Sequence, residues 1–141
     1  MIHIHDIAKK EMYDDAVRTF PDECCGFLFG EENGDERIIT VITVVNNSKE
    51  GDKRRRFEIS AKDYLKAEQF AGENNLQLLG VYHSHPNHLP IPSEHDRVAA
   101  QPFFSYVIVS VVPTGIAATR SWRLNDESQF EEEKIIQHQL I

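Results

Sequence analysis

Residues 76–100 read LQLLGVYHSHPNHLPIPSEHDRVAA, and the fold is decided there. Leu78, Leu79, Val81 and Tyr82 form a short apolar run between polar residues, the pattern of a buried strand. The strand ends in His83-Ser84-His85. Side chains two apart on an extended chain point the same way, so His83 and His85 project to one side and Ser84 to the other. Pro86 stops the strand, and Pro90 and Pro92 stiffen the loop after it. Ser93 then reads as the N-cap of a helix that continues through Arg97, Val98, Ala99 and Ala100. Asp96 falls in its first turn, where a carboxylate is electrostatically favoured.

Two imidazoles at a strand end and a carboxylate at a helix start make three nitrogen and oxygen donors. Such a set matches a catalytic zinc site with one position left open for water. A closed structural site would take a fourth protein ligand, usually Cys, and this segment has none.

The pattern His-x-His-Pro, six residues, then Ser-x-x-Asp resembles the signature of the JAMM (MPN-plus) metallopeptidases. It stands here as His83-Ser84-His85-Pro86, residues 87–92, then Ser93-Glu94-His95-Asp96. That family also carries a glutamate in an early strand, in a context similar to Pro21-Asp22-Glu23-Cys24-Cys25-Gly26-Phe27-Leu28-Phe29-Gly30. The resemblance extends more loosely over residues 2–124. It is strongest to short bacterial members, which include peptidases acting on ubiquitin-like sulfur-carrier proteins.

The resemblance implies zinc (Zn2+) held by His83, His85 and Asp96, with Glu23 serving as base toward water and as proton donor to the leaving amine. Glu23 stands sixty residues from the ligands, so the sequence alone would not find it. As an ordinary strand-end carboxylate it would need no such role. Ser93 carries two compatible readings, because a hydroxyl can accept a backbone N–H as a cap and still donate its proton to an oxyanion. Ser84 is read as structural. His88 and His95 flank the ligands and are read as bystanders or substrate contacts. Glu94 is a substitute base, or simply a first-turn acid.

The length, 141 residues, suits one domain, taken here as 1–141, with a real core. A formal net charge of −8 argues against a nucleic-acid partner, which needs a basic face. No apolar run reaches the roughly 18–20 residues that span a bilayer, and the N-terminus lacks a basic segment followed by an apolar one. No membrane association and a cytoplasmic location are therefore expected. Cys24 and Cys25, adjacent in sequence, are poor disulfide partners and read as reduced, buried strand residues.

Along the rest of the chain, Ile2 and Ile4 alternate with His3 and His5 as in a short edge strand, and the two histidines read as surface residues. Asp6 is expected to cap a helix with Ile7, Ala8, Met12, Ala16, Val17 and Phe20 on its apolar stripe. Residues 24–29 form a buried strand, residues 31–36 a hairpin turn around Asn33-Gly34, and residues 37–46 a β-branched strand. Residues 47–56 are polar and include Lys53-Arg54-Arg55-Arg56, read as a solvated loop or as steering for an acidic partner. Residues 57–59 are expected to return as a strand, and Ser60 to cap a helix with Tyr64, Ala67, Phe70 and Ala71 inward. Residues 105–113 and 116–124 pair around Thr114-Gly115. Residues 130–141 suit neither period; the resemblance implies a strand there, and composition allows a helix.

The fold class is mixed α/β, a curved sheet packed with helices. That agrees with the JAMM/MPN fold, which resembles the cytidine-deaminase architecture. The deaminase motif, His-x-Glu with Pro-Cys-x-x-Cys, and the His-Glu-x-x-His helix are both missing from the chain. By resemblance the substrate is a ubiquitin-like or sulfur-carrier protein cleaved after a C-terminal glycine pair, its tail lying along a sheet edge near the metal. A non-catalytic MPN scaffold and a hydrolase of small amino-acid amides are the alternatives. Substrate identity, native metal and oligomeric state stay open.

Overall fold

The computed structural model describes residues 1–136. In chain order the elements are β1 (Ile2–Ile4), α1 (Asp6–Thr19), β2 (Cys25–Asn33), β3 (Glu36–Val45), α2 (Ala61–Glu73), β4 (Gln77–Pro86), α3 (Glu94–Ala99), β5 (Ser105–Val112), β6 (Gly115–Leu124), β7 (Phe130–Glu133) and β8 (Ile135–Ile136). The strands form one mixed, curved sheet of eight in the order β7-β6-β5-β4-β2-β3-β1-β8. β4 is internal, antiparallel to β2 and parallel to β5.

Each face of the sheet carries its own core. On one, α1 lays Ala8, Met12 and Ala16 on Ile2, Leu28, Ile39, Leu79, Tyr82 and Val109. On the other, Ala67 and Ala71 of α2 pack on Phe27, Phe29, Leu78, Val81 and Tyr106. A strand between two covered faces is apolar almost continuously, which is why 78–82 do not alternate.

A bulge in β4 sets the direction of the histidines. Leu28 pairs with Gly80 and Phe29 with Leu78, so Leu79 is an extra residue. Leu78 and Val81 thereby share the α2 face, and Leu79 and Tyr82 the α1 face. The displaced Leu79 carbonyl accepts from the guanidinium of buried Arg37 at 3.0 Å; the same nitrogen donates to Ser105 Oγ at 3.0 Å. Two glycines allow close approach here. A Cβ on Gly26 would stand 2.3 Å from the Tyr82 ring, and one on Gly80 2.0 Å from the Ser105 carbonyl oxygen.

Several expectations are corrected. β1 is not an edge strand, because β8 pairs beyond it. His5, not Asp6, is the N-cap residue of α1, and it makes no side-chain cap bond. Ile7 and Val17 face solvent, while Asp15 is buried and accepts from Tyr82 Oη at 2.8 Å. The inward arc of α1 is fixed by Ala8, Met12, Asp15 and Ala16, and the two aliphatic residues lie off it. Residues 57–59 form no strand; Ser48 N–H donates to the Glu58 carbonyl, and Asn47 Oδ1 accepts the Glu58 N–H. Within the final segment, 130–133 and 135–136 are strands, and 137–141 lie outside the described residues. Among the described residues no helix is long and apolar enough to cross a membrane.

Candidate active site

The site lies where β4 outruns β2. Pairing between them ends at Cys25 opposite His83, whereas β5 accompanies β4 through Pro86. Ser84, fully buried, closes the junction: its Oγ accepts the Cys24 N–H at 2.8 Å, and its N–H donates to the Cys24 carbonyl at 3.1 Å. This double tie fixes Glu23, one residue earlier, relative to the two histidines on either side of Ser84.

Asn87 then turns the chain at φ 59, a left-handed conformation that Asn tolerates. The loop is held from three sides. His85 Nδ1 donates to Leu89 O at 2.8 Å, Ser110 Oγ to His88 O at 2.6 Å, and Trp122 Nε1 to Pro90 O at 3.0 Å. At its end a full capping box opens α3. Ser93 Oγ accepts the Asp96 N–H at 3.0 Å, and Asp96 Oδ2 accepts the Ser93 N–H at 2.8 Å.

Three donor atoms converge. His83 Nε2 and His85 Nε2 are 3.1 Å apart, and Asp96 Oδ2 lies 3.4 Å from each. Donors about 2.0–2.1 Å from a zinc ion at tetrahedral angles lie roughly 3.3–3.4 Å from one another, so the triangle fits that ion. Because the Leu89 carbonyl takes the Nδ1 proton of His85, its Nε2 carries the lone pair a metal requires. His83 is held otherwise: its Nδ1 is buried without a hydrogen-bond partner among the described residues, and the Phe57 ring stacks on it at 4.4 Å between centroids. A carboxylate oxygen of Glu23 and ring nitrogens of His83 and His85 all lie within 4.8 Å of one another.

Burial and charge divide the groups electrostatically. Burial pushes the Glu23 carboxyl up to about 8; nearby His85 opposes this and Asp96 adds to it. Burial would also raise Asp96, but the two imidazoles and the Ser93 N–H outweigh it and hold that carboxyl far below the usual range. Burial lowers His83. It acts on His85 in the same sense, but the Asp96 carboxylate and the Leu89 carbonyl prevail and the net direction is upward. The pattern is one fixed anion among the donors and one carboxyl poised to gain or lose a proton.

The structure thus brings Glu23, His83, His85, Ser93 and Asp96 together. Glu23, His85 and Ser93 line a cavity of about 530 Å³, and a second of about 260 Å³ lies against His83 and Asp96. Past the Cys25–His83 pair, β4 has no strand partner on its β2 side among the described residues, and the opening there is lined by Glu23, Arg56, Leu89 and Ile91. Glu94 is exposed and paired with Arg97, and His88 and His95 are exposed. Three contributors escaped the sequence reading. They are Phe57, the Leu89 carbonyl, and Asn47, whose Nδ2 donates to Glu23 O at 3.2 Å. A polar Asn shortly after a strand was the one available signal.

The prokaryotic homologues of the JAB domain match residues 5–125 of the chain. A desampylase of Pyrococcus furiosus is 30% identical over 114 residues, 81% of this chain and 75% of that protein. A desampylase of Haloferax volcanii is 34% identical over 106 residues, covering 72% and 70%. A solution structure from Desulfitobacterium hafniense superposes with a TM-score of 0.85 at 30% identity, covering 96% of this chain and 92% of that one. Another, from Salinibacter ruber, gives 0.73 at 34%, covering 98% and 92%. With its sheet, its histidine-bearing strand and these relatives in agreement, the chain belongs to the prokaryotic JAB-domain family and is of the short, JAMM-like prokaryotic type.

Proposed function

We propose that the protein, acting as one domain over 1–141, is a zinc-dependent peptidase or isopeptidase. It hydrolyses the amide bond after the C-terminal glycine pair of a ubiquitin-like carrier protein. The observation that carries this is the triangle of His83 Nε2, His85 Nε2 and Asp96 Oδ2 with buried Glu23 beside it. The desampylase relatives support the substrate class.

His83, His85 and Asp96 would hold the ion. When bound, zinc supplies Lewis acidity that polarises a carbonyl and lowers the pKa of water from near 16 toward about 7. Glu23 takes the proton from water as its oxygen attacks the scissile carbonyl carbon, and returns that proton to the amine nitrogen as the C–N bond breaks. A carboxyl at about 8 exchanges protons readily near neutral pH. The Ser93 hydroxyl spends only an acceptor lone pair on the Asp96 N–H, so its proton is free to stabilise the oxyanion.

The test is turnover of ubiquitin-like carriers extended past Gly-Gly by one residue or a peptide, with metal content read in parallel. Zinc near one per chain in the wild type and loss of it in His85→Ala are expected. Isolated tail peptides should be cut far more slowly than the same tail on its carrier. Equal rates would favour the small-amide hydrolase. Zinc retained in the mutant would overturn the ligand set, and zinc bound with no cleavage would favour the scaffold.

A further inference from the structure

The chain carries 23 acidic residues against 15 basic ones, yet four basic residues stand in an unbroken run, Lys53-Arg54-Arg55-Arg56. A run of this kind at a loop tip would be a solvated turn. Here it is strapped to the active site. Lys53 O accepts the Glu23 N–H at 2.7 Å, and Asn47 Nδ2 donates to both Glu23 O at 3.2 Å and Arg56 O at 3.0 Å. Arg54, Arg55 and Arg56 consequently line the same cavity as Glu23, His85 and Ser93.

Their side chains are exposed and weakly compensated. Asp52 lies 3.7 Å from the Arg55 guanidinium, and Arg56 donates to the Arg55 carbonyl. Besides Asp52, the buried Glu23 carboxyl lies within electrostatic reach of Arg56; three neighbouring cations repel one another, and an incoming anion relieves that repulsion. Leu89 and Ile91, 71% and 46% exposed, line the same cavity, on the loop that His85, Ser110 and Trp122 hold in place. The groove is therefore lined by both cationic and apolar side chains, carried on loops whose main chains are held in place.

We infer that this groove binds an acidic, extended segment of the substrate protein next to the scissile bond, with carboxylate side chains on the arginines and an apolar side chain against Leu89 and Ile91. The inference rests on the peptidase reading for what lies beside the groove. Guanidinium groups meet carboxylates through paired, charge-assisted hydrogen bonds, and Lys would serve less well. A nucleic acid fits poorly: the basic run is a single loop, while the chain as a whole carries −8.

Binding can be read without any bond being cut. The 15N-labelled, zinc-loaded full chain would be titrated by NMR with Asp-Glu-Leu-Asp-Gly-Gly and with its uncharged counterpart Asn-Gln-Leu-Asn-Gly-Gly. In dilute salt the acidic peptide should bind about tenfold tighter, with amide shifts at 52–57 and 88–91. High salt, and the double variant Arg54→Glu, Arg55→Glu, should abolish that advantage while the remaining spectrum is preserved. Equal affinity for the two peptides would overturn the inference. So would an acid preference that survives charge reversal, or tighter binding of a ten-residue oligothymidylate. Failure of every carrier to be cleaved would sink the peptidase reading and leave these measurements standing. Cleavage that ignores tail acidity would do the reverse.

Discussion

At Glu23, burial and chemistry pull against each other. The side chain is 4% exposed and its carboxyl is pushed up to about 8, so it is held in place by main-chain bonds and not by favourable solvation. Glu23→Gln keeps the shape and removes the exchangeable proton. Turnover should fall by about a hundredfold or more while zinc content matches the wild type. Near-normal turnover would move the role elsewhere, and Glu94, turned to solvent and paired with Arg97, is poorly placed to inherit it. Cys25, two residues on, is inert by the same burial. It is fully buried, and its thiol is pushed up to about 12 from an ordinary value near 9. At pH 8 its thiolate should be about a thousandfold scarcer than that of a free cysteine. Iodoacetamide should therefore modify the two thiols in denaturant and spare them in the native chain; prompt native alkylation would refute this. The histidines were legible because strand period and a following cap are local properties. Glu23 was legible only through resemblance, since nothing within its own neighbourhood encodes a partner sixty residues away. The Leu89 carbonyl has no residue-type signature at all, and Phe57 read as an ordinary strand residue.

α3 is six residues long and buries none of them, so its position depends on its first turn. The capping box holds it, and one arm of that box is the Asp96 oxygen that faces both imidazoles. Ser93→Ala removes the other arm. About 1 kcal/mol of stability should go with it, seen as a fall of roughly 2–4 °C in melting temperature. If the hydroxyl also serves the oxyanion, turnover should drop about a hundredfold beyond any loss of zinc. Lost stability with full turnover per bound zinc would leave the cap as its only role. Capping residues and apolar runs made β4, α3 and α2 readable in advance. Where elements were misread, a long-range partner had overridden the local pattern. Asp15 took an inward place on α1 because Tyr82 supplies its hydrogen bond, and 57–59 were drawn off the sheet by Asn47 and Ser48.

For the molecule as a whole, the sheet order places β4 at the meeting point of an antiparallel neighbour from earlier in the chain and a parallel neighbour from later in it. That the class is mixed α/β followed from the alternation of strands and helices. The order of strands, and the placing of β8 beyond β1, depend on pairings too distant for local reading. The parallel pairing with β5 bears on biosynthesis. When a ribosome has released residues 1–100, every proposed ligand and the proposed base are already outside, but β4 has only β2 beside it. Val111, whose carbonyl takes the Asn87 N–H, and Ser110, which holds the His88 carbonyl, are still to come. A nascent chain stalled with residues 1–100 outside the exit tunnel should accordingly bind zinc far more weakly than one stalled with β6 also outside; that outcome would mean that the proposed metal is acquired after the polypeptide has closed on itself.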